Sequence, residues 1–125
     1  MELIIGGAYQ GKLNCAKKKY NLTENEIFTC TEEHGIEFGA RCIYKIEEFT
    51  LWCVRNGKDA AEIFKENRNK WADSVLICQD IFCGVVPMGA EKRAWRQRTA
   101  RLCQYLAAEA AQVSRIFCGL EQRLK

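Results

Sequence analysis

An α/β fold, a three-layer α/β/α domain on a mostly parallel sheet, follows from three observations on this chain of 125 residues. Short apolar runs alternate along it with longer helix-permissive segments. The first run ends in paired glycines, and a Gly-Lys pair follows just before a helical segment. A single proline, Pro87, interrupts the chain, and no repeat or low-complexity stretch divides it, so residues 1–125 are expected to form one domain. A domain of this size buries roughly two-thirds of its unfolded surface and stands without staples.

The elements follow in order. Leu3 to Ile5 form an apolar run closed by Gly6 and Gly7, which predicts a buried strand. Lys12 to Tyr20 favour a helix, and "NLTENE" then breaks the pattern. "EIFTC" at 26–30 predicts a second strand, and residues 31–42, with Gly35 and Gly39, predict a loop. Ile46, Phe49, Leu51, Trp52 and Cys53 suit a helix over 46–54, continued after Gly57 by "KDAAEIFKENRNKW". "SVLICQD" at 74–80 is the strongest strand signal: apolar, β-branched and short. A loop over 81–90 leads into a long helix, 90–111, with Trp95, Thr99, Leu102, Leu106 and Ala110 on one stripe. "VSRIFCG" at 113–119 predicts a final strand. Parallel sheets of this kind hold ligands at the carboxyl ends of their strands.

Composition narrows the classes. The chain is 48% hydrophobic and 28% charged with a formal net charge of +3, which does not argue for nucleic acid. Nothing in it approaches a membrane span of about 20 apolar residues. "ELIIGGAYQGK" turns polar too early for a secretory leader. Eight cysteines stand at 15, 30, 42, 53, 78, 83, 103 and 118, none in the two-residue spacing of a zinc site, and the one histidine is His34. Several lie inside apolar runs, where cysteine serves as a small hydrophobe. Buried free thiols are the expectation, and with them a reducing, cytoplasmic setting.

Gly6, Gly7, Ala8, Tyr9, Gln10, Gly11 and Lys12 then meet the needs of a phosphate-binding loop. Glycines let successive N–H groups turn inward, the lysine reaches the phosphates, and the helix N-terminus favours negative charge. A Gly-rich turn that binds nothing fits the same letters. Leu13 stands where that motif carries a hydroxyl for magnesium, so the cradle survives while metal-assisted chemistry is weakened. Lys92, Arg93, Arg96, Arg98 and Arg101 form a basic segment that could hold phosphates, or be the solvated flank of the Trp95 stripe with some arginines turned toward a nucleotide. The second reading is favoured, because no exposed aromatics are interleaved. Asp80, at the predicted ligand edge, could order a metal-bound water or cap the following turn. His34, in "TEEHGIEFG", reads as a solvated loop histidine.

The segment "VLICQDIFCGVVP" with "AWRQRTARLCQYLAAEAAQVSRIFCGL" resembles the adenosylcobinamide kinase / adenosylcobinamide-phosphate guanylyltransferase family of cobalamin biosynthesis. The matching residues are Gly84, Val85, Val86, Pro87, Arg93, Trp95, Arg96, Gln104, Leu106, Ala107, Val113 and Gly119. "LIIGGAYQGK" is similar to the family's Gly-Gly-Ala-Arg-Ser-Gly-Lys-Ser loop, and "EEFTLW" to its Asp-Cys-Leu-Thr-Leu-Trp, which puts Glu47 in the acidic position. The departures are Tyr9, Gln10 and Leu13 in the loop, Gln79 and Asp80 for Asn-Glu, and Gln97, Ala100 and Cys103 in the long helix. No counterpart of the family's guanylylated, Arg-flanked histidine is found, and the role is not carried onto His34.

The resemblance implies a domain of the P-loop type that binds ATP or GTP at residues 6–13. As a kinase it would use Lys12 to steady the phosphates, Glu47 or Asp80 to organise Mg2+, and a cobinamide hydroxyl as acceptor, with the guanylyltransferase activity lost. It also hints at a homo-oligomer. The alternative is a non-catalytic paralogue that binds nucleotide weakly or serves as a partner subunit. No nucleic-acid or membrane partner is expected.

Overall fold

The computed structural model describes residues 1–82 and 89–125. The resembling residues Gly84 to Pro87, and Cys83, lie outside them. Six strands form one sheet: β1 (Glu2–Gly6), β2 (Ile27–Thr29), β3 (Cys42–Tyr44), β4 (Val75–Gln79), β5 (Gln112–Phe117) and β6 (Leu120–Arg123). Their order is β2-β3-β4-β1-β5-β6. All neighbours are parallel except β5 and β6, which are antiparallel. The expected three-layer, mostly parallel architecture is therefore present.

Alternation along the central strands assigns the two faces. Leu3, Leu76 and Cys78 point into one core, packed by α2 (Ile46–Arg55), α3 (Ala60–Glu66), α4 (Arg68–Trp71) and α5 (Ala90–Glu109). Ile4, Val75, Ile77 and Ile116 point the other way, onto Ala16 of α1 (Lys12–Tyr20). Because β4 and β1 are covered on both sides, they read as continuous apolar runs rather than as alternating ones. Both were legible for that reason.

Helix boundaries follow local chemistry. α1 stops at Asn21, which takes the left-handed conformation at φ 53, after three lysines that suit the helix C-terminus. Asp59 caps α3 by accepting from the Ala61 and Glu62 N–H groups at 3.0 and 3.3 Å. The expected stripe of α5 is the one that packs: Thr99, Leu102 and Leu106 are buried, and Ala110 is buried just past its last turn. Trp71 is 1% exposed and donates its indole N–H to the Phe64 carbonyl at 2.7 Å, which satisfies the ring's polar atom inside the core.

Four expectations need correction. Cys42–Tyr44 form a strand, β3, where the loop and the following helix were expected to meet. No helix crosses between β2 and β3: apart from its turn, the 30–41 connection has no regular structure. The segment after Gly57 is two short helices rather than an extension of α2. The strand beginning near Val113 is not the last, because Cys118 (φ 52) and Gly119 (φ 75) make a two-residue turn into β6.

One polar network ties this edge together. The Glu2 carboxylate is 4% exposed and accepts from the Tyr20 hydroxyl, from Lys19 Nζ at 3.1 Å and from Ser114 Oγ at 2.8 Å. Lys19 also donates to Glu121 of β6 at 2.9 Å. A buried carboxylate holding three donors joins β1, α1 and β5. No helix of the described residues is long and apolar enough to cross a membrane.

Five of the described cysteines, at 30, 42, 53, 78 and 103, are buried in the two cores. Burial is the main force that pushes the thiols of Cys30, Cys42 and Cys53 from an ordinary 9.0 up to about 12. The folded protein therefore holds protons that the unfolded chain releases, and stability should fall as pH rises from 9.0 to about 12. Urea midpoints measured across that window should drop steadily, and Cys42→Ala should flatten the slope. A slope that the substitution leaves untouched would assign the alkaline loss to other groups.

Candidate functional site

The loop from Gly6 to Gly11 leaves the carboxyl end of β1 and enters α1. A Cβ on Gly6 would sit 2.6 Å from the Ile116 carbonyl oxygen, so only glycine lets β1 lie this close to β5. Tyr9 and Gly11 take positive φ, 60 and 91. Left-handed residues in such a turn can direct successive N–H groups toward one side, as in an anion nest. The first N–H groups of α1 add donors that have no partner within the helix.

Lys12 is the first residue of α1 and is 8% exposed. Its Nζ turns back over the loop and donates to the Gly7 carbonyl at 2.5 Å. Burial pulls its pKa down, and the negative charges of Glu47 and Asp80 pull it back up. A cation desolvated in this way gains from any anion that replaces the neutral carbonyl.

Gln10 lines the cleft and also fastens the loop. Its backbone carbonyl accepts from the Gly119 N–H at 2.9 Å, and its side-chain Oε1 accepts from the Cys118 N–H at 2.6 Å. The loop is thereby pinned to the β5–β6 turn. Tyr9, at the tip, is fully exposed. Leu13 is half-buried and packs on the Ile4 and Ile77 core, so the residue that stands in the hydroxyl position has structural work of its own.

Across from the loop lies Glu47, in the first turn of α2 and 5% exposed. Its carboxylate Oε1 accepts the Gln79 N–H at the end of β4, at 2.9 Å. Its carbonyl accepts from the Trp95 indole at 2.7 Å and from the Thr50 hydroxyl at 2.8 Å. Thr50 lies 2.6 Å from the Thr99 hydroxyl, which donates to the Trp95 carbonyl at 2.8 Å. This cluster of half-buried Trp95 with buried Thr50 and Thr99 locks α2 to α5 and fixes the acid at the ligand edge.

A cleft of about 500 Å³ opens between these parts, lined by Ala8 to Asn14 on one side and by Tyr44, Lys45, Glu47 and Gln79 on the other. It thus brings together Ala8, Tyr9, Gln10, Gly11, Lys12, Leu13 and Glu47. Gly6 and Gly7 shape the loop from beneath. Asp80 lies just past β4, with its N–H on the Gly6 carbonyl at 3.0 Å and its Oδ1 3.9 Å from where a Gly7 Cβ would be. It flanks the loop and does not line the cleft. Tyr44 and Lys45 escaped the sequence reading because the strand that ends at Tyr44, just before Lys45, is only three residues long.

The remaining sequence candidates sit elsewhere. His34 is exposed in the connection between β2 and β3. Arg96 donates to the Phe82 carbonyl at 3.1 Å, and Arg98 lies 3.8 Å from Asp59. Arg93 and Arg96 border a separate hollow of about 350 Å³ with Phe82 and Gln97. None of the basic residues of α5 lines the cleft among the described residues.

Among curated proteins, none matches the chain. The sequence profile of the cobinamide kinase / cobinamide phosphate guanyltransferase family matches residues 46–124, well over half of the chain. That span holds Glu47, its Trp95 and Thr50 locks, and the β5–β6 turn that pins the loop. On that match, and with a P-loop-like sheet beneath it, the chain belongs to the cobinamide kinase / cobinamide phosphate guanyltransferase family.

Proposed function

We propose that the chain binds a nucleoside triphosphate, ATP or GTP, over residues 6–13, and acts as a cobinamide kinase-like protein without the guanylyl-transfer step. The observation that carries this reading is the buried Lys12 ammonium, 2.5 Å from the Gly7 carbonyl inside a loop with positive φ at Tyr9 and Gly11. A phosphate entering the nest would take over that ammonium, and the backbone N–H groups would hold the other oxygens. The acceptor hydroxyl of a cobinamide would approach from the Tyr44 and Glu47 side. Glu47, with one carboxylate oxygen on the Gln79 N–H, keeps the second for the acceptor proton or for a magnesium-bound water. Asp80 flanks the loop and would act on Lys12 through its charge.

The donors fit phosphate better than they fit magnesium. Leu13 offers no oxygen, so a hard cation would rest on phosphate, water and one acid. That favours a second reading, a nucleotide binder that does not catalyse, and phosphoryl transfer to a cobinamide separates the two.

Calorimetric titration with ATP and GTP, with and without magnesium, tests the site. Lys12→Ala should weaken binding by roughly 1.5–3 kcal/mol, the worth of a charge-assisted contact. Unchanged affinity in that variant, or no binding by the parent protein at millimolar nucleotide, would move the site elsewhere.

Leu13→Ser should strengthen triphosphate binding only when magnesium is present. Because Leu13 packs on the core of Ile4 and Ile77, the same change should cost about 1–3 kcal/mol of stability. Equal gains with and without the metal would show that the missing hydroxyl is not the deficit.

Incubation with GTP labelled in its α-phosphate should leave no acid-labile label on the protein, since His34 does not line the cleft. Label that survives gel filtration and vanishes in His34→Ala would restore the guanylyltransferase.

A further inference from the structure

Lys45 breaks three local preferences at once. It holds φ 60 and ψ 48, a left-handed conformation that glycine or asparagine takes far more readily than a lysine. It stands at the N-cap of α2 and supplies no capping hydrogen bond. It also places a cation at the positive end of a helix dipole, where an acid would be favoured. Residues that violate local rules together are concentrated at functional positions.

Its surroundings say what the function is. Lys45 is exposed and lines the cleft on the side opposite the phosphate loop. Its ammonium lies 5.7 Å from the centre of the Tyr44 ring, on the cleft wall, and forms no ion pair with any described residue. Among the described residues, the cleft is lined by two cations, Lys12 and Lys45, and one carboxylate, Glu47, which has an oxygen on the Gln79 N–H. Lys12 alone faces a ligand that carries several negative charges.

We infer that Lys45 is the second phosphate-binding cation of the cleft, reaching across from the α2 side to the terminal phosphate while Lys12 and the loop hold the inner ones. The inference rests on the reading of this cleft as a nucleotide site. The left-handed backbone at Lys45 is what starts α2 at the cleft rim and aims the side chain over it. The contact is that of a point charge, so arginine should replace it and a neutral side chain should not.

Four proteins test it by calorimetry and thermal melting: the parent, Lys45→Asn, Lys45→Arg and Lys12→Ala, each titrated with the triphosphate and the monophosphate of one nucleoside. Lys45→Asn should bind the triphosphate about tenfold more weakly, and the monophosphate with little change. Its melting temperature without ligand should hold or rise, because asparagine tolerates both the backbone and the cap. Lys45→Arg should keep parent affinity within about threefold. If Lys45→Asn binds triphosphate as the parent does while Lys12→Ala is weakened, the cleft reading stands and the role of Lys45 falls. If affinity and melting temperature fall together in Lys45→Asn, the lysine holds the helix start and not the ligand, and the inference is overturned. If the parent protein binds no triphosphate, the cleft reading fails and takes this inference with it.

Discussion

The contact of Gly6 with β5 sets the ligand edge. With the Ile116 carbonyl 2.6 Å from where a side chain would begin, β1 and β5 approach each other as only a bare backbone permits. The turn that follows must then rise out of the sheet directly beside β5, within reach of the β5–β6 turn. Gln10 uses that proximity, taking two N–H groups from Cys118 and Gly119 with one backbone and one side-chain oxygen. A loop that would otherwise be a mobile glycine-rich connection is held at its base by packing and near its crest by hydrogen bonds. Preorganisation of this kind lowers the ordering cost when an anion enters.

The opposite wall of the cleft is built by a different device. Glu47 is buried, and a buried carboxylate is tolerated only with donors around it. Here the last N–H of β4 serves one oxygen, and the indole of Trp95 holds the same residue by its backbone. The acid thus belongs to the sheet and to both long helices of one layer. Loop and acid are fixed by separate cores, one on each face of the sheet. Their relative placement depends on β1 and β4 being neighbours in register, Gly6 beside Gln79.

Much of this was legible in the letters. β1, β4 and α5 carry long or fully apolar patterns, and the Gly-Lys pair between a strand and a helix located the loop by context. What escaped was short or polar. β3 has three residues, too few to show a period, and it hides between a glycine-containing loop and a helix. β6 reads "LEQR" with every residue exposed, so no hydrophobic pattern announces it. The pin that Gln10 makes escaped because its partners, 108 and 109 residues away, have no trace in the local sequence. Lys45 could not be placed at the cleft before β3 was found. The placement of Glu47 was legible only through its similarity to a family acid, since nothing in periodicity distinguishes it from Glu48.

The pin between Gln10 and the β5–β6 turn also bears on the order of events during synthesis. The strand that must touch Gly6 and the turn that must hold Gln10 leave the ribosome about a hundred residues after residues 6–12 do. Until then β1 has no β5 neighbour and the loop has no anchor. Contacts of such high sequence separation are also the slow ones to close. The loop is translated well before the turn that anchors it.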